Sequence, residues 1–337
     1  MLRGLPERYV ARPARAEDAE ALVALFNLDS RRALGLDTHD VENQSTEWGT
    51  PGFNLKRDTR VVHAPSGEPV AYAEVWDLDA PHVRLWSWGC VHPNHVGCGI
   101  GSALLAWKDE RGREALAQAP VGARVSLRHM VYSDDVLPSR LLQAHGYRLI
   151  RHFSRMQIEL DQPIPEPTLL AGVTVRTFEI TTDFEPTVHA VRESFRDHWG
   201  YVETPLEGEL AVWRHEIAEE KDFDPSLWFL AIDGDKIVAM CLGSLKAPED
   251  ADLGYVHTLG VLRPWRRRGI ALALLHHAFG ELQRRGKKRV GLGVDAASLT
   301  GATRLYERAG MRPVRQSDLY EKELRPGRDL TTQGLKE

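Results

Sequence analysis

The chain has 337 residues, a formal net charge of −5 and 42% hydrophobic residues, values that are ordinary for a globular protein. The length exceeds what one hydrophobic core usually serves, so we expect two domains. The negative charge gives no reason to expect a nucleic-acid partner, and no apolar run approaches the length of a membrane span or a signal peptide. These features predict a cytoplasmic protein with no nucleic-acid and no membrane partner.

The three cysteines, Cys90, Cys98 and Cys241, are scattered along the chain, with neither a CxxC pair nor a histidine cluster. This spacing argues against a disulfide framework and against a structural zinc site. We expect reduced cysteines that pack in the interior, and no metal.

The first half of the chain predicts strands alternating with helices. Strand-like runs lie at residues 60–64, 70–78, 83–91 and 125–132, with a turn at 65–67. The third run leads into GCGIGSALL at residues 97–105, which is typical of a glycine-rich loop that opens a helix. Backbone N–H groups in such a loop can approach a phosphate closely, and the helix N-terminus adds partial positive charge. The segment therefore predicts phosphate binding.

A domain boundary is indicated by DQPIPEP at residues 161–167, which has three prolines and no hydrophobic periodicity. We predict a first domain at 1–160, an extended linker at 161–172, a second domain at 173–326 and a tail at 327–337.

The second domain repeats the order of the first with clearer signals. It predicts a strand at 173–178, helices at 183–196 and 206–220, a hairpin around Asp233 and Gly234, a strand at 254–261, a helix after Gly269, a strand at 289–294, a helix at 298–309 and a closing pair of strands. The segment RRGIALALL at 267–275 is a second glycine loop, and Gly269 lies 170 positions after Gly99. The chain is therefore expected to contain two copies of one layered unit.

Two segments of the second domain, at 259–275 and 295–311, together resemble the GNAT superfamily of acetyl-CoA-dependent N-acyltransferases. One superfamily pattern is a hydrophobic strand followed by (Q/R)xxGx(G/A), and the other is a helix that ends in LYExxGF. The patterns are matched by Arg266, Gly269 and Ala271 and by Leu305, Tyr306, Glu307, Gly310 and Met311.

The resemblance covers the chain as a tandem, clearly in the second half and in degraded form in the first. The linker, VTVRT and GYVHTLGV also resemble segments of the mycothiol synthases among the tandem members. The resemblance implies an α+β fold with two tandem GNAT-like domains, each a central mixed, mostly antiparallel sheet flanked by helices. It also implies acetyl-CoA as co-substrate.

The resemblance further implies where acetyl-CoA binds. Backbone N–H groups near Leu259, Gly260 and Val261 would polarise the thioester carbonyl, and the glycine loop would hold the pyrophosphate. We assign the rest of the cofactor site to Arg266, Arg267, Arg268, Gly269, Ile270, Ala271 and Ser298.

Two residues of the second domain are catalytic candidates. Tyr306 matches the superfamily tyrosine that donates a proton to the thiolate, although a tyrosine there could also simply pack on the sheet. His257, on the strand before the loop, is the candidate base, since an unperturbed histidine pKa lies near 6.5; the alternative is a histidine hydrogen-bonded within the sheet. Mycothiol synthase-like sequences carry an acidic residue where this chain has Tyr255, which is why the base candidate is His257.

The acceptor is expected to contact FRDHWGY at 195–201, a loop of the kind that often forms the substrate wall in this superfamily. Phe195, His198 and Trp199 could line the pocket by shape and cation–π contact, or could be ordinary loop packing. Tyr255 shares the face of His257 because strand side chains alternate, and completes the substrate set.

The first domain keeps Gly97, Gly99 and Gly101, which form a candidate second cofactor loop. Val96 stands where the pattern has glutamine or arginine, and Leu142, where it has the tyrosine, cannot protonate a thiolate. This half either binds acetyl-CoA without turnover or has a structural role.

The sequence therefore predicts an N-acetyltransferase that moves an acetyl group to a small-molecule primary amine by direct transfer in a ternary complex, in the second domain. The alternatives are a non-catalytic acyl-CoA sensor and a protein or peptide N-acetyltransferase. We expect a monomer with an internal pseudo-dimer, or a weak homodimer.

Overall fold

A computed structural model describes residues 2–219, 223–247, 250 and 252–334. The chain forms two compact units, each assembled from three segments. The first unit contains Met1–Arg151, Thr204–Glu220 and Ser317–Leu330, and the second contains His152–Glu203, Lys221–Gln316 and Thr331–Glu337. The last residue of the helix expected at 206–220, and residues 335–337 of the expected tail, lie outside the described residues.

The helices and strands alternate along the chain largely as expected. In the first half they are β1 (Val10–Arg12), α1 (Ala19–Leu34), α2 (Val41–Trp48), α3 (Leu55–Asp58), β2 (Thr59–His63), β3 (Pro69–Trp76), β4 (Arg84–Val91), α4 (Ile100–Glu114), β5 (Val125–Tyr132), α5 (Val136–Ala144) and β6 (Arg148–Glu159). In the second half they are β7 (Val173–Thr177), α6 (Ile180–Phe195), α7 (Leu206–Glu219), β8 (Trp228–Asp233), β9 (Lys236–Ser244), β10 (Leu253–Val261), α8 (Ile270–Arg284), β11 (Arg289–Asp295), α9 (Ala302–Arg308) and β12 (Arg312–Arg325).

Each unit has a mixed, mostly antiparallel sheet. In the first unit the strand order is β1-β2-β3-β4-β5-β12, and only β4 and β5 run parallel. In the second unit the order is β6-β11-β10-β9-β8-β7, and only β10 and β11 run parallel. The predicted α+β fold class is confirmed.

The units differ from the contiguous segments 1–160 and 173–326 because strands and a helix are exchanged between the halves of the chain. β6 pairs with β11 from Phe153 to Glu159, so it completes the sheet of the second unit. β12 pairs with β5 and completes the sheet of the first unit. The helix α7 also packs in the first unit, where His215 Nε2 lies 3.0 Å from the carbonyl oxygen of Thr46.

Two predicted elements near the C-terminus were wrong in detail. The closing pair of strands is the single 14-residue strand β12, because residues 314–325 contain no glycine, proline or asparagine that would favour a turn. The helix expected at 298–309 begins only at Ala302. Ser298 N–H donates to Asp295 O in a turn, and Gly301 is left-handed with φ +74°.

The core of the second unit lies between α8 and the sheet. Ile270, Leu274 and Ala278 follow one another at intervals of four residues, so they share one helix face, and all three are buried. This packing fixes the N-terminus of α8 against the end of β10, where the predicted cofactor loop lies.

No helix in the described ranges is both long and apolar enough to cross a membrane. Among the described residues there is also no cluster of three or more histidine, cysteine or acidic side chains that could hold a metal ion. Cys90 and Cys241 are buried free thiols, whereas Cys98 is partly exposed and accepts a hydrogen bond from Arg8 Nη2 at 3.3 Å.

Candidate active site

The centre of the second unit is a gap between its two parallel strands. β10 and β11 are paired from Leu253 to Val256, opposite Arg289 to Leu292, and they separate beyond that point. A bulge in β10 between Val256 and Thr258 accompanies the separation. Extra residues of this kind bend a strand and re-aim its side chains.

Backbone donors of β10 face this gap. Leu262 N–H donates to Val238 O of β9, on the other side of the strand. Because amide groups alternate sides along an extended strand, the N–H groups of Leu259 and Val261 point away from β9, toward the side that β11 has left. These are two of the three residues predicted to polarise a thioester carbonyl.

The loop before α8 has the backbone geometry of an anion site. Gly269 has φ +86° and Arg267 has φ +61°, an uncommon left-handed conformation for a residue with a side chain. Left-handed residues in a turn direct successive N–H groups into one concavity, here at a helix N-terminus. A Cβ placed on Gly269 would meet no atom within 4 Å, so there is open space beside the loop at this residue.

A cluster of ion pairs holds the residues that precede the loop. Asp197, whose side chain is 3% exposed, binds Arg266 at 2.6 Å and also binds Arg263. Arg266 further donates to Val261 O at 3.0 Å and to Ser194 O at 2.9 Å. Arg266, the arginine of the sequence pattern, is therefore engaged by contacts within the protein, whereas Arg267 and Arg268 are exposed.

Several of the predicted site residues line one cavity of about 200 Å³ in the second unit. There are seven of them, namely Tyr306, His257, Leu259, Ser298, Phe195, His198 and Trp199. Catalytic and acceptor candidates from α6, β10 and α9 thus surround one space that adjoins the gap between β10 and β11.

Tyr306 is 8% exposed and lies at the cavity wall. Burial raises the pKa of its hydroxyl well above the ordinary value, and the neighbouring Cys241 and Tyr255 raise it further. The phenol is therefore protonated at neutral pH and can donate a hydrogen bond.

His257 is held by Ser244, whose Oγ lies 2.8 Å from its Nε2. Ser244 Oγ also donates to Lys246 O at 2.9 Å. A hydroxyl has one proton, so both contacts are satisfied when His257 Nε2 carries a hydrogen and donates it, which leaves the lone pair on Nδ1. Burial, and then the charge of Arg155, lower the pKa of His257, so the neutral form dominates at neutral pH.

His198 is the second histidine of the cavity. Its ring lies 4.2 Å from that of Phe195, centroid to centroid. Burial lowers its pKa, and the nearby Arg266 adds to this effect. Trp199 Nε1 donates to Gln333 at 3.1 Å. These contacts order the wall of the cavity.

Nine predicted residues of this unit do not line the cavity. Six of them lie at the end of β10, in the loop or at the start of α8, namely Val261, Arg266, Arg267, Arg268, Gly269 and Ala271. The other three are Tyr255, Ile270 and Gly260. Tyr255 does not line the cavity; its ring packs 4.8 Å from that of His257 and 4.4 Å from the Arg155 guanidinium. Ile270 is buried in the core, so only its backbone can serve the loop. At Gly260 a Cβ would lie 2.3 Å from Ser194 Oγ, which shows that this glycine allows α6 to approach β10.

The residues of the cavity that were not predicted include Asp197, Phe153 and Asp295. Asp197 lies within FRDHWGY, but its arginine partners are 66 and 69 positions away. Phe153 reaches the cavity from β6, through a strand exchange that no local signal announces. Asp295 lines the cavity at the end of β11 and accepts a hydrogen bond from Ala297 N–H at 2.9 Å.

The first unit repeats the loop but not the tyrosine. Gly97 has φ +81° and Gly99 has φ +83°, the same conformations as Arg267 and Gly269. With Gly101 they line a cavity of about 520 Å³. Leu142 is buried and also lines that cavity, so the first unit has no phenol at the equivalent position.

An open strand gap beside an anion-binding loop fits an extended thioester with phosphates at one end. This arrangement defines an acyltransferase that uses an acylated coenzyme A. Residues 188–311 match the model of the acetyltransferase (GNAT) family.

Similar proteins agree with this class. The mycothiol acetyltransferase of Streptomyces bingchenggensis is 32% identical over 276 residues, which are 79% of this chain and 82% of the relative. The crystal structure of a GCN5-related N-acetyltransferase from Sphaerobacter thermophilus is 39% identical, with a TM-score of 0.78 over 97% of this chain and 99% of that one. A tandem GNAT protein from the clavulanic acid biosynthesis pathway, 15% identical over 95% of this chain and 99% of its own, shares the fold with a TM-score of 0.69.

The chain belongs to the GNAT acetyltransferase family. It is an acetyl-CoA-dependent N-acetyltransferase with two tandem GNAT units, so the predicted family, enzyme class and co-substrate are confirmed.

Proposed function

We propose that the second unit moves the acetyl group of acetyl-CoA directly to the primary amine of a small molecule in a ternary complex. The observation that carries this proposal is that Tyr306, His257 and the aromatic wall from Phe195 to Trp199 line one cavity of about 200 Å³. A donor of protons, an acceptor of protons and a surface for a substrate are thereby within one enclosed space.

The chain holds acetyl-CoA at two places in this proposal. Backbone N–H groups from Arg267 to Ala271 bind the pyrophosphate at the start of α8. The N–H groups of Leu259 and Val261 bind the thioester oxygen, where negative charge grows during transfer. Acetyl-CoA supplies an activated acyl group and a thiol leaving group.

Tyr306 donates its proton to the departing thiolate. A phenol that burial keeps protonated is suited to this role, because it reaches the reaction as a donor. Leu142 occupies the equivalent position of the first unit, which supports placing catalysis in the second.

His257 accepts the proton of the attacking amine, directly or through one water molecule. Its lowered pKa keeps the ring neutral, and the bond from Nε2 to Ser244 leaves Nδ1 to act as base. Most aliphatic amines are protonated at neutral pH, so removal of a proton is a required step.

The size of the cavity favours a small acceptor over a protein chain. A volume of about 200 Å³ suits an amine of modest size beside the reacting acetyl group. Phe153, Phe195 and Trp199 contribute aromatic rings to the cavity wall, and Asp295 contributes a carboxylate, and both kinds of group attract a cationic amine. The relatives' name, mycothiol acetyltransferase, also points to a small molecule.

Initial-rate kinetics test the proposal. Free thiol would be measured with acetyl-CoA and a panel of small amines, including mycothiol without its acetyl group, and with lysine peptides as the comparison. We expect acceptor-dependent thiol release with intersecting double-reciprocal lines, the pattern of a ternary complex. Parallel lines would contradict direct transfer, and faster release with peptides would contradict the small-molecule acceptor. Binding of acetyl-CoA without thiol release would favour a sensor.

A further inference from the structure

The first unit contains a cavity of about 520 Å³ that the proposed function does not use. The left-handed loop from Gly97 to Gly101 forms part of its wall, and Lys108 of α4 forms another part. Lys108 is only 3% exposed, which is rare for a lysine.

The amino group of Lys108 lies where the two parallel strands of the first unit separate. β4 and β5 are paired from Arg84 to Ser87, opposite Ser126 to His129, and Gly89 lies beyond that pairing. A Cβ on Gly89 would be 3.1 Å from Lys108 Nζ. Gly89 lies 170 positions before Leu259, whose N–H faces the corresponding gap of the second unit. The amine therefore lies in the cavity beside the residue of β4 that corresponds to Leu259.

Lys108 has few partners for a positive charge. In the described part of the chain it forms no ion pair, and its one polar contact is His129 Nδ1 at 3.5 Å. Ser87 Oγ lies 3.0 Å from the same nitrogen and donates to Arg128 O at 3.1 Å, so His129 Nδ1 carries a hydrogen toward Ser87. The histidine thus offers the lysine no lone pair on Nδ1.

The buried carboxylate of Glu74, whose charge acts on Lys108, is also engaged. Glu74 accepts hydrogen bonds from Tyr72 at 2.7 Å and from Trp76 at 2.8 Å. Burial lowers the pKa of Lys108 to about 7, although the acidic groups of Glu74, Cys90 and Asp109 oppose this shift. A large fraction of the amine is then neutral at neutral pH, whereas an ordinary lysine with a pKa of about 10.4 is almost wholly protonated.

We propose that Lys108 is an acyl acceptor, and that the first unit acetylates itself at Nζ from acetyl-CoA bound in this cavity. The lone pair of Nζ attacks the thioester carbonyl carbon and forms the C–N bond. The C–S bond breaks with its electron pair on sulfur, and one proton from nitrogen passes to that sulfur. The products are acetyl-lysine at position 108 and the free thiol of coenzyme A. The amide is not nucleophilic, so the reaction stops after one acetyl group.

Mass spectrometry of the full chain tests this inference. The protein would be incubated with isotope-labelled acetyl-CoA and no acceptor, and the acetyl content of each lysine peptide followed with time. We expect Lys108 to approach one label per chain at least about tenfold faster than the exposed Lys56, Lys236 and Lys288, because its amine is more often neutral. Equal or slower labelling of Lys108 would overturn the proposal.

Paired loop variants distinguish a bound acetyl donor from simple chemical reactivity. Gly99→Val and Gly269→Val place the same strained side chain at φ +83° in the first unit and φ +86° in the second. We expect labelling of Lys108 to fall at least about tenfold in Gly99→Val and to persist in Gly269→Val. Equal labelling in both variants would overturn the proposal.

Excess coenzyme A on the wild-type protein gives a second measurement that does not depend on a variant folding. It should slow labelling of Lys108 and leave the exposed lysines unchanged, and a failure to do so would overturn the inference. Acceptor-dependent thiol release is measured separately, so failure at Lys108 does not bear on the proposed function of the second unit.

Discussion

Asp197 and Arg266 form an ion pair of 2.6 Å that joins the wall of the cavity to the loop before α8. Asp197 lies between Phe195 and His198, which line the cavity, and Arg266 lies just before the left-handed loop. Because the Asp197 carboxylate contacts both segments, a substitution that displaces one segment should also displace the other. Asp197 and Arg266 are 69 positions apart in the sequence and come together only in the folded unit.

Asp197→Asn should raise the KM for acetyl-CoA by about tenfold and lower the free energy of unfolding by about 2 kcal/mol, since it leaves two arginines without their carboxylate. Steady-state kinetics and urea unfolding would measure both effects. Asp224→Asn is the matched control, because Asp224 pairs with Arg285 near the far end of α8. The control should lower the free energy of unfolding and leave the KM for acetyl-CoA unchanged. An equal change of KM in both variants would contradict a role of the Asp197 ion pairs in holding the loop.

The carboxylate of Asp197 should make the free energy of unfolding depend on pH in the acid range. Its arginine partners lower the pKa of Asp197 to about 2, below the value of about 3.9 in an unfolded chain. A lowered folded-state pKa adds stability that is fully present above pH 4 and is lost as the pH falls toward 2. The stability difference between wild type and Asp197→Asn should therefore be largest above pH 4 and narrow below it. A constant difference would contradict the assigned pKa.

The decrease of kcat on the acid side of its pH profile, here called the acid limb, should follow the protonation of His257. Burial and Arg155 lower its pKa, so the limb should fall below pH 6.5 in the wild type. Arg155→Gln removes a positive charge and should move the limb to higher pH, whereas Arg155→Lys keeps the charge and should leave it near its wild-type position. His257→Gln should lower kcat by about 10²-fold and abolish the limb. An identical limb in all of these variants would assign the base to another group.

Gly260→Ala should be destabilising by about 1–3 kcal/mol because its Cβ would lie 2.3 Å from Ser194 Oγ and 2.6 Å from Met240 Sδ. Gly280→Ala is the control, since a Cβ there meets nothing within 4 Å in the interior of α8. That change should stabilise the protein by about 0.5–1 kcal/mol. Thermal or urea unfolding would measure both changes in the free energy of unfolding. Equal changes in the two variants would show that α6 is not tightly packed at Gly260.

Local patterns in the sequence predicted much of the fold and of the cofactor loop. The loop around Gly269 and the helix with Tyr306 are each short segments whose geometry follows from neighbouring residues, so both were found. Phe153 could not be found this way, because it reaches the cavity only through the pairing of β6 with β11.

Ion pairs between distant segments were also beyond the sequence. Asp197 stands in a segment that lines the cavity, yet its ion pairs are formed with Arg263 and Arg266 from another part of the chain. The bulge at His257 could not be predicted from the sequence either, because it follows from the register between β10 and β9. In both cases tertiary contacts decide the function of a residue whose type alone is uninformative.

The most direct test of catalysis in the second unit compares Tyr306→Phe with the wild type. The variant removes the hydroxyl and keeps the ring, and Tyr320→Phe, a buried tyrosine of the first unit, is its control. Acceptor-dependent thiol release and the Kd for acetyl-CoA would be measured for all three proteins. The account predicts that kcat falls by about 10²-fold or more in Tyr306→Phe with Kd unchanged, and that Tyr320→Phe retains activity. Wild-type kcat in Tyr306→Phe would contradict the account.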